Sequence, residues 1–184
     1  MIMKGISFSK RFFILVFLIF LPFLAGAQQA GELSRQFREF YLGMSLDELK
    51  ENLLDDSFFN FRGDRDVSFI PIREQSLVET TGSSFIRRAF FQLRDGNVFI
   101  MSFSLNTLII DFYSVFTRLT GQYGQPSYLD PRTVIWETDE TRISLERPLT
   151  VKYIDKIVFE ETINESGLVE SNQVKQRQDF INEF

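Results

Sequence analysis

The stretch SFIRRAFFQLRDGNVFIMSFSL, residues 84–105, carries the clearest fold signal in the chain. Asp95-Gly96 separates two apolar runs, and this dipeptide suits a type I′ turn because both central residues of that turn need positive φ. The stretch therefore predicts an antiparallel hairpin. Its expected register pairs residues on one face as follows: Leu93 with Val98, Phe91 with Ile100, and Ala89 with Ser102.

The two faces of this hairpin differ in polarity. The more apolar face is expected to be covered by helices; it carries Ile86, Phe90, Phe99, Met101, Phe103 and Leu105. An apolar patch left exposed on the other face would mark a partner surface. The predicted partner-binding residues are Phe85, Arg87, Phe91, Leu93 and Ile100. The competing interpretation is that the tail or residues 55–81 fold across this face and make it core.

Two helices are predicted by their caps and by apolar residues at helical spacing. Ser45 and Glu48 fit the capping-box pattern, so a helix is expected from Leu46 to Leu54. Asp111 is a suitable N-cap for a second helix. Its apolar stripe consists of Phe112, Val115, Phe116, Leu119 and Tyr123, and Gly124 and Pro126 follow it.

Further strands are predicted where the apolar period changes to two. They are VSFIPI (67–72), SLVETT (76–81), TVIWET (133–138), RISLE (142–146) and VKYIDKIVF (151–159). A turn at Asp139-Glu140 would pair Trp136 with Ile143, which predicts Trp136 in the core rather than as a binding anchor. The expected fold is α+β, with two successive helix-plus-antiparallel-strand units (45–106 and 111–159) and the helices packed on one face of the sheet.

The N-terminal residues indicate export. Basic residues precede the uncharged run FFILVFLIFLPFL, and Ala25-Gly26-Ala27 follows it, so residues 1–27 are interpreted as a signal peptide cleaved after Ala27. The run is shorter than the roughly 20 residues of a spanning helix, and an uncleaved anchor is the alternative. We expect a periplasmic or secreted domain, 28–159, with no transmembrane span after cleavage. The polar segment 160–184 is expected to be mobile or a short amphipathic helix.

Composition excludes several classes of function. The chain has no histidine and no cysteine, which removes Ser–His and Cys–His nucleophiles, zinc sites built on those ligands, disulfides and a lipid-modified cysteine. A formal net charge of −5 and a lone adjacent pair in the mature part, Arg87-Arg88, argue against nucleic-acid binding. No catalytic residue, metal or cofactor is predicted.

Three acidic patterns have both a functional and a structural interpretation. Glu137, Glu146 and Glu160 lie at or near strand ends and leave open a small carboxylate-based, glycosidase-like enzyme. The aspartates between the first helix and the next strand are interpreted as turn residues rather than calcium ligands; they are Asp55, Asp56, Asp64 and Asp66. Arg62-Gly63-Asp64 is interpreted as a charged turn rather than an adhesion motif.

Two stretches resemble a known group of small envelope proteins. LGMSLDEL (42–49) and YGQPSYLDPRTVIWETDETRISLE (123–146) are similar to the β-lactamase-inhibitor-like fold that BamE/OmlA-type proteins share with the inhibitor protein itself. The resemblance covers about 42–159. It implies helices on one face of an antiparallel sheet and partner binding without catalysis. The expected function is thus a non-enzymatic protein-binding or assembly module of the cell envelope, whose partner is another envelope protein or a second copy.

Overall fold

The hairpin around Asp95-Gly96 lies within a large antiparallel sheet. The structure is a computed structural model that describes residues 32–70 and 75–181, so the predicted signal peptide lies outside the described residues. Asp95 and Gly96 have φ values of 50° and 77°, as the predicted turn requires. Within the described residues the fold is α+β, with three α-helices and one large antiparallel sheet beside a two-stranded one.

The elements follow one another along the chain in this order: β1 (Gln36–Phe37), β2 (Phe40–Tyr41), α1 (Leu46–Asp55), a 3₁₀ helix (Gly63–Asp66), β3 (Val67–Ile70), β4 (Gln75–Thr81), β5 (Ile86–Arg94), β6 (Asn97–Leu105), α2 (Phe112–Tyr123), β7 (Tyr128–Leu129), β8 (Thr133–Glu137), β9 (Thr141–Glu146), β10 (Thr150–Asp155) and α3 (Lys156–Ile181). The main sheet has the strand order β3-β4-β5-β6-β10-β9-β8-β7, and β1 and β2 form a separate hairpin. Among the described residues, β3 and β7 are the sheet edges.

Both predicted helix starts are confirmed. The amide of Glu48 donates to Ser45 Oγ at 3.3 Å, and the amide of Ser45 donates to the Glu48 carboxylate at 3.0 Å, which completes the capping box of α1. Asp111 caps α2 by accepting from the Ser114 amide at 2.9 Å. The two helices bury their apolar stripes in one core with the sheet; the helix residues in this core include Leu49, Leu53, Leu119 and Tyr123.

The predicted hairpin register holds next to the turn and again where Ile86 pairs with Leu105, but not between these two ends. Leu93 pairs with Val98 as expected, but Gln92 pairs with Ile100, so Phe99 is an extra residue in β6. A bulge of one residue moves the side chains of β6 that follow it to the face opposite the predicted one. The observed pairs beyond it are Phe91 with Met101 and Ala89 with Phe103.

The bulge corrects the assignment of faces. Phe91 and Leu93 are fully buried in the core that α1 and α2 share with the sheet. The ring of Phe91 lies 5.7 Å from that of Phe103 in an edge-to-face contact. The prediction that Phe91 and Leu93 face a partner is therefore wrong. Both lie in a core that contains residues of α1 and α2, which the competing interpretation did not name as the cover.

The chain enters a helix where the sequence predicted the end of a strand. β10 ends at Asp155, whose carboxylate accepts a hydrogen bond from the Val158 amide at 3.2 Å, and α3 continues to Ile181. Val158 and Phe159 pack on Phe99, Ile100 and Ile154, on the opposite face of the sheet from α1 and α2. Helices therefore lie on both faces, which corrects the prediction of one.

Arg94 ties α3 to the end of β5. Its guanidinium lies 2.7 Å from Glu165 and 3.5 Å from Glu161, and it donates to the Thr162 hydroxyl at 3.2 Å. The Arg94 side chain is only 15% exposed. In the part of the chain that the structure describes, no helix is long and apolar enough to cross a membrane.

Candidate partner-binding groove

The five residues predicted to bind a partner do not share a surface. Phe91 and Leu93 lie in the main core, whereas Ile100 lies on the other face of the sheet, beneath α3. Phe85 is exposed, with its ring 6.1 Å from that of Phe58. Arg87 is also exposed and lies at a second register shift, between Ile86 and Arg88. The structure therefore does not bring the predicted site together.

An open apolar groove lies elsewhere, between the first turns of α2 and the turn that joins β7 to β8. Its volume is about 490 Å³, within the size range of ligand-binding clefts. The residues that line it are Asp111, Phe112, Tyr113, Phe116, Leu129, Asp130, Pro131, Val134 and Arg147. Six of these nine residues have hydrocarbon or aromatic side chains, so the groove suits an apolar occupant.

One wall of the groove is the start of α2. The cap at Asp111 sets where the helix begins, so Phe112 and Phe116 turn toward the core while Tyr113 points outward. The ring of Phe116 lies 6.3 Å from Trp136 and 6.4 Å from Tyr113. Tyr113 remains 73% exposed. The aromatic contacts thus continue from the buried core to the surface.

The other wall is the β7–β8 turn. Asp130 Oδ1 accepts hydrogen bonds from the amides of Arg132 at 2.6 Å and Thr133 at 2.8 Å, which holds the turn closed. Val134 is buried at the base, while Leu129 is 63% exposed. The turn therefore presents an apolar side chain to solvent beside the groove.

The two carboxylates at the groove are engaged in local structure. The Ser114 hydroxyl and amide lower the pKa of Asp111, and the backbone amide of Arg132, with the Tyr128 hydroxyl, lowers the pKa of Asp130. Both groups are thus ionised at neutral pH. A general acid needs a raised pKa instead, so these two aspartates favour a structural role.

Arg147 joins the two walls. Its guanidinium carbon lies 4.2 Å from the centre of the Phe112 ring, and its Nε donates to the Pro131 carbonyl at 2.8 Å. Among the described residues, its two terminal nitrogens have no hydrogen-bond or ion-pair partner. The groove therefore combines six apolar side chains with two ionised carboxylates, and Arg147 is a positioned cation at its rim.

The three glutamates considered as candidates for a carboxylate-based enzyme lie in different surroundings. Glu137 pairs with Arg142 at 2.8 Å; burial alone would raise the pKa of Glu137, but Arg142 and Lys156 lower it below its usual value. Glu146 pairs with Lys152 at 2.7 Å. Glu160 lies in α3.

The aspartates after α1 also have partners. Asp56 pairs with Arg38 at 2.8 Å, Asp64 with Lys50 at 2.7 Å, and Asp66 with Arg62 at 2.6 Å. Across residues 32–70 and 75–181, no cluster of three or more acidic residues is arranged to hold a metal ion. Arg62 and Asp64 of the Arg-Gly-Asp triplet therefore both take part in local ion pairs.

The sequence contained part of the signal for this groove. The apolar stripe of the second predicted helix includes Phe112 and Phe116. Trp136 is buried as predicted, with its indole donating to the Gly124 carbonyl at 2.9 Å. Tyr113 and Leu129 fall outside any apolar repeat. The Asp130-Pro131 pair is the one local signal of the second wall, since Asp-Pro favours a turn.

Comparison with known protein families places most of the chain in one of them. The model of the TP0088 domain family matches residues 35–165. No curated protein and no solved structure matches the chain. The matched range contains the main sheet, α1, α2 and all residues of the groove, and it ends within α3.

Proposed function

The chain belongs to the TP0088 domain family, and we propose that it is an exported, non-enzymatic protein-binding module of the cell envelope. The observation that carries this proposal is the groove between α2 and the β7–β8 turn. Its apolar walls are open to solvent, and its two carboxylates are held by structural hydrogen bonds. An exposed, concave apolar surface of this kind marks a binding site.

Export is supported by the sequence. The basic start, the apolar run and Ala25-Gly26-Ala27 form the pattern of a cleaved secretory signal. We expect the mature protein to begin at Gln28, which intact-mass measurement of the protein recovered from the cell envelope checks. Full-length protein in the membrane fraction would instead favour the uncleaved anchor.

The proposal includes an internal repeat of architecture. The chain would consist of two successive units, α1 followed by β3–β6 and α2 followed by β7–β10. The strand order supports this division, because β3-β4-β5-β6 meets β10-β9-β8-β7 at the centre of the sheet. The resemblance to BamE/OmlA-type and β-lactamase-inhibitor-like proteins agrees with such an architecture and implies partner binding. The partner would be another envelope protein or a second copy of the chain.

Paired double variants test the role of the groove. Tyr113→Ser with Leu129→Ser removes two exposed apolar groups beside it. Leu54→Ser with Phe69→Ser is the matched control, since these side chains are 65% and 69% exposed and lie outside the groove. We expect the groove variant to lose the partner captured from envelope extracts, or its self-association in sedimentation, at an unchanged melting temperature. Equal binding by both double variants would contradict the proposal.

A further inference from the structure

We infer that the occupant of the groove is an extended peptide segment that presents a large apolar side chain next to a carboxylate. This inference rests on the proposed function and specifies its ligand. It follows from the position of the exposed Arg147 guanidinium at the rim, the charges around it, and the open sheet edge beside the groove.

Arg147 is a pre-positioned anion receptor. Stacking on Phe112 and the hydrogen bond from Nε to Pro131 hold the guanidinium plane at the rim. Its two terminal nitrogens are hydrogen-bond donors, and no group in the described part of the chain accepts a hydrogen bond from them. A carboxylate matches this geometry because it accepts two parallel hydrogen bonds from one guanidinium.

The charged side chains near Arg147 are compatible with binding of an anion. Asp111 accepts from the amide and hydroxyl of Ser114. Asp130 Oδ1 accepts from two amides, and the Asp130 carboxylate also accepts from the Tyr128 hydroxyl. The exposed Arg132 lies in the same turn as Asp130 and has no ion pair among the described residues. The negative charges of the two aspartates are thus balanced by the positive charges of Arg132 and Arg147. Both arginines are hydrogen-bond donors, and neither has an ion pair among the described residues.

The sheet edge favours a peptide over another amphiphile. β7 is the last strand of the sheet, and within the described residues no strand pairs with its outer side. Its residues Tyr128 and Leu129 are both exposed. An extended segment pairs its backbone with such an edge while alternate side chains enter an adjacent pocket. A fatty acid would fill the groove and meet Arg147 but would leave the edge unpaired.

Two capped hexapeptides test the inference. Acetyl-Ser-Thr-Phe-Asp-Thr-Ser-amide and its Asp→Asn analogue differ only in the carboxylate, and decanoate is the lipid probe. Each is titrated into the ¹⁵N-labelled protein while amide chemical shifts are followed. We expect the Asp peptide to shift amides of 112–116 and 128–134 and the indole of Trp136, and to bind about tenfold more tightly than the Asn peptide, as a charge-assisted hydrogen bond implies.

Substitutions assign this preference to one side chain. Arg147→Gln should abolish the tenfold difference between the peptides. The control Arg88→Gln, at an exposed arginine that pairs with Glu79 and does not line the groove, should retain it. The comparison of the two peptides on the unsubstituted protein does not depend on how the variants fold. Equal binding of both peptides at the groove would overturn the carboxylate preference and leave the proposed function standing. Shifts caused by decanoate but by neither peptide would overturn the peptide ligand, and no shift at the groove with any probe would count against the proposed function as well.

Discussion

Gly82 is a residue whose identity is set by backbone packing. A Cβ atom built on it would lie 2.4 Å from the Ile86 carbonyl oxygen and 2.7 Å from Ile86 Cβ. The amide of Gly82 also donates to the Arg87 carbonyl at 3.1 Å, so the two backbone segments cannot separate without losing that bond. We predict that Gly82→Ala lowers the free energy of unfolding by about 1–3 kcal/mol, as overpacking does.

Gly121 provides the matched control. It lies in α2, and a Cβ atom there would meet nothing within 4 Å. Gly121→Ala should raise the free energy of unfolding by about 0.5–1 kcal/mol, because alanine lowers the entropy lost on helix formation. Urea denaturation of both variants measures the difference. Destabilisation of similar size at both positions would show that the close approach at Gly82 is not the cause.

Single residues with local roles were the most predictable part of the molecule. Ser45 with Glu48, Asp111, and Asp95-Gly96 were all assigned correctly, since caps and tight turns depend on residues only two or three positions apart. Pairing at Asp139-Glu140 was also correct, with Trp136 opposite Ile143. Each of these assignments needs only local geometry.

Helices and strands are less predictable, because one inserted residue changes which side chains lie on which face of a strand. The bulge at Phe99 lies in VFIMSF, which is apolar on both faces of the strand, so alternation offered no check on the register. The strand predicted to Phe159 was misplaced for a related reason. The apolar residues Ile154, Val158 and Phe159 would suit either a strand or a helix. The helix begins after Asp155 because the Asp155 carboxylate caps its first turn.

The attachment of α3 gives a prediction at the scale of the element. Arg94→Gln removes the ion pairs with Glu161 and Glu165, and a largely buried arginine contributes more than an exposed one. We expect faster amide hydrogen exchange over 156–165, with the sheet unchanged. Arg88→Gln is the control, since its pair with Glu79 is exposed. Unchanged exchange in the Arg94 variant would mean that Val158 and Phe159 alone hold the helix.

At the scale of the whole molecule, the groove was beyond prediction from the sequence. The start of α2 and the β7–β8 turn form its walls, and Arg147 lies in the segment between β9 and β10. No local pattern brings these three segments together. The two-residue strand β7 is also too short to show alternation.

Amide hydrogen exchange of the mature protein, alone and bound to the partner captured from the envelope, tests the central claim most directly. If the groove binds the partner, amides of 112–117 and 127–134 should become protected in the complex, because they form the two walls. Residues 46–55 of α1 serve as the internal reference and should not change. Protection confined to α3, or to strands remote from the groove, would contradict the account.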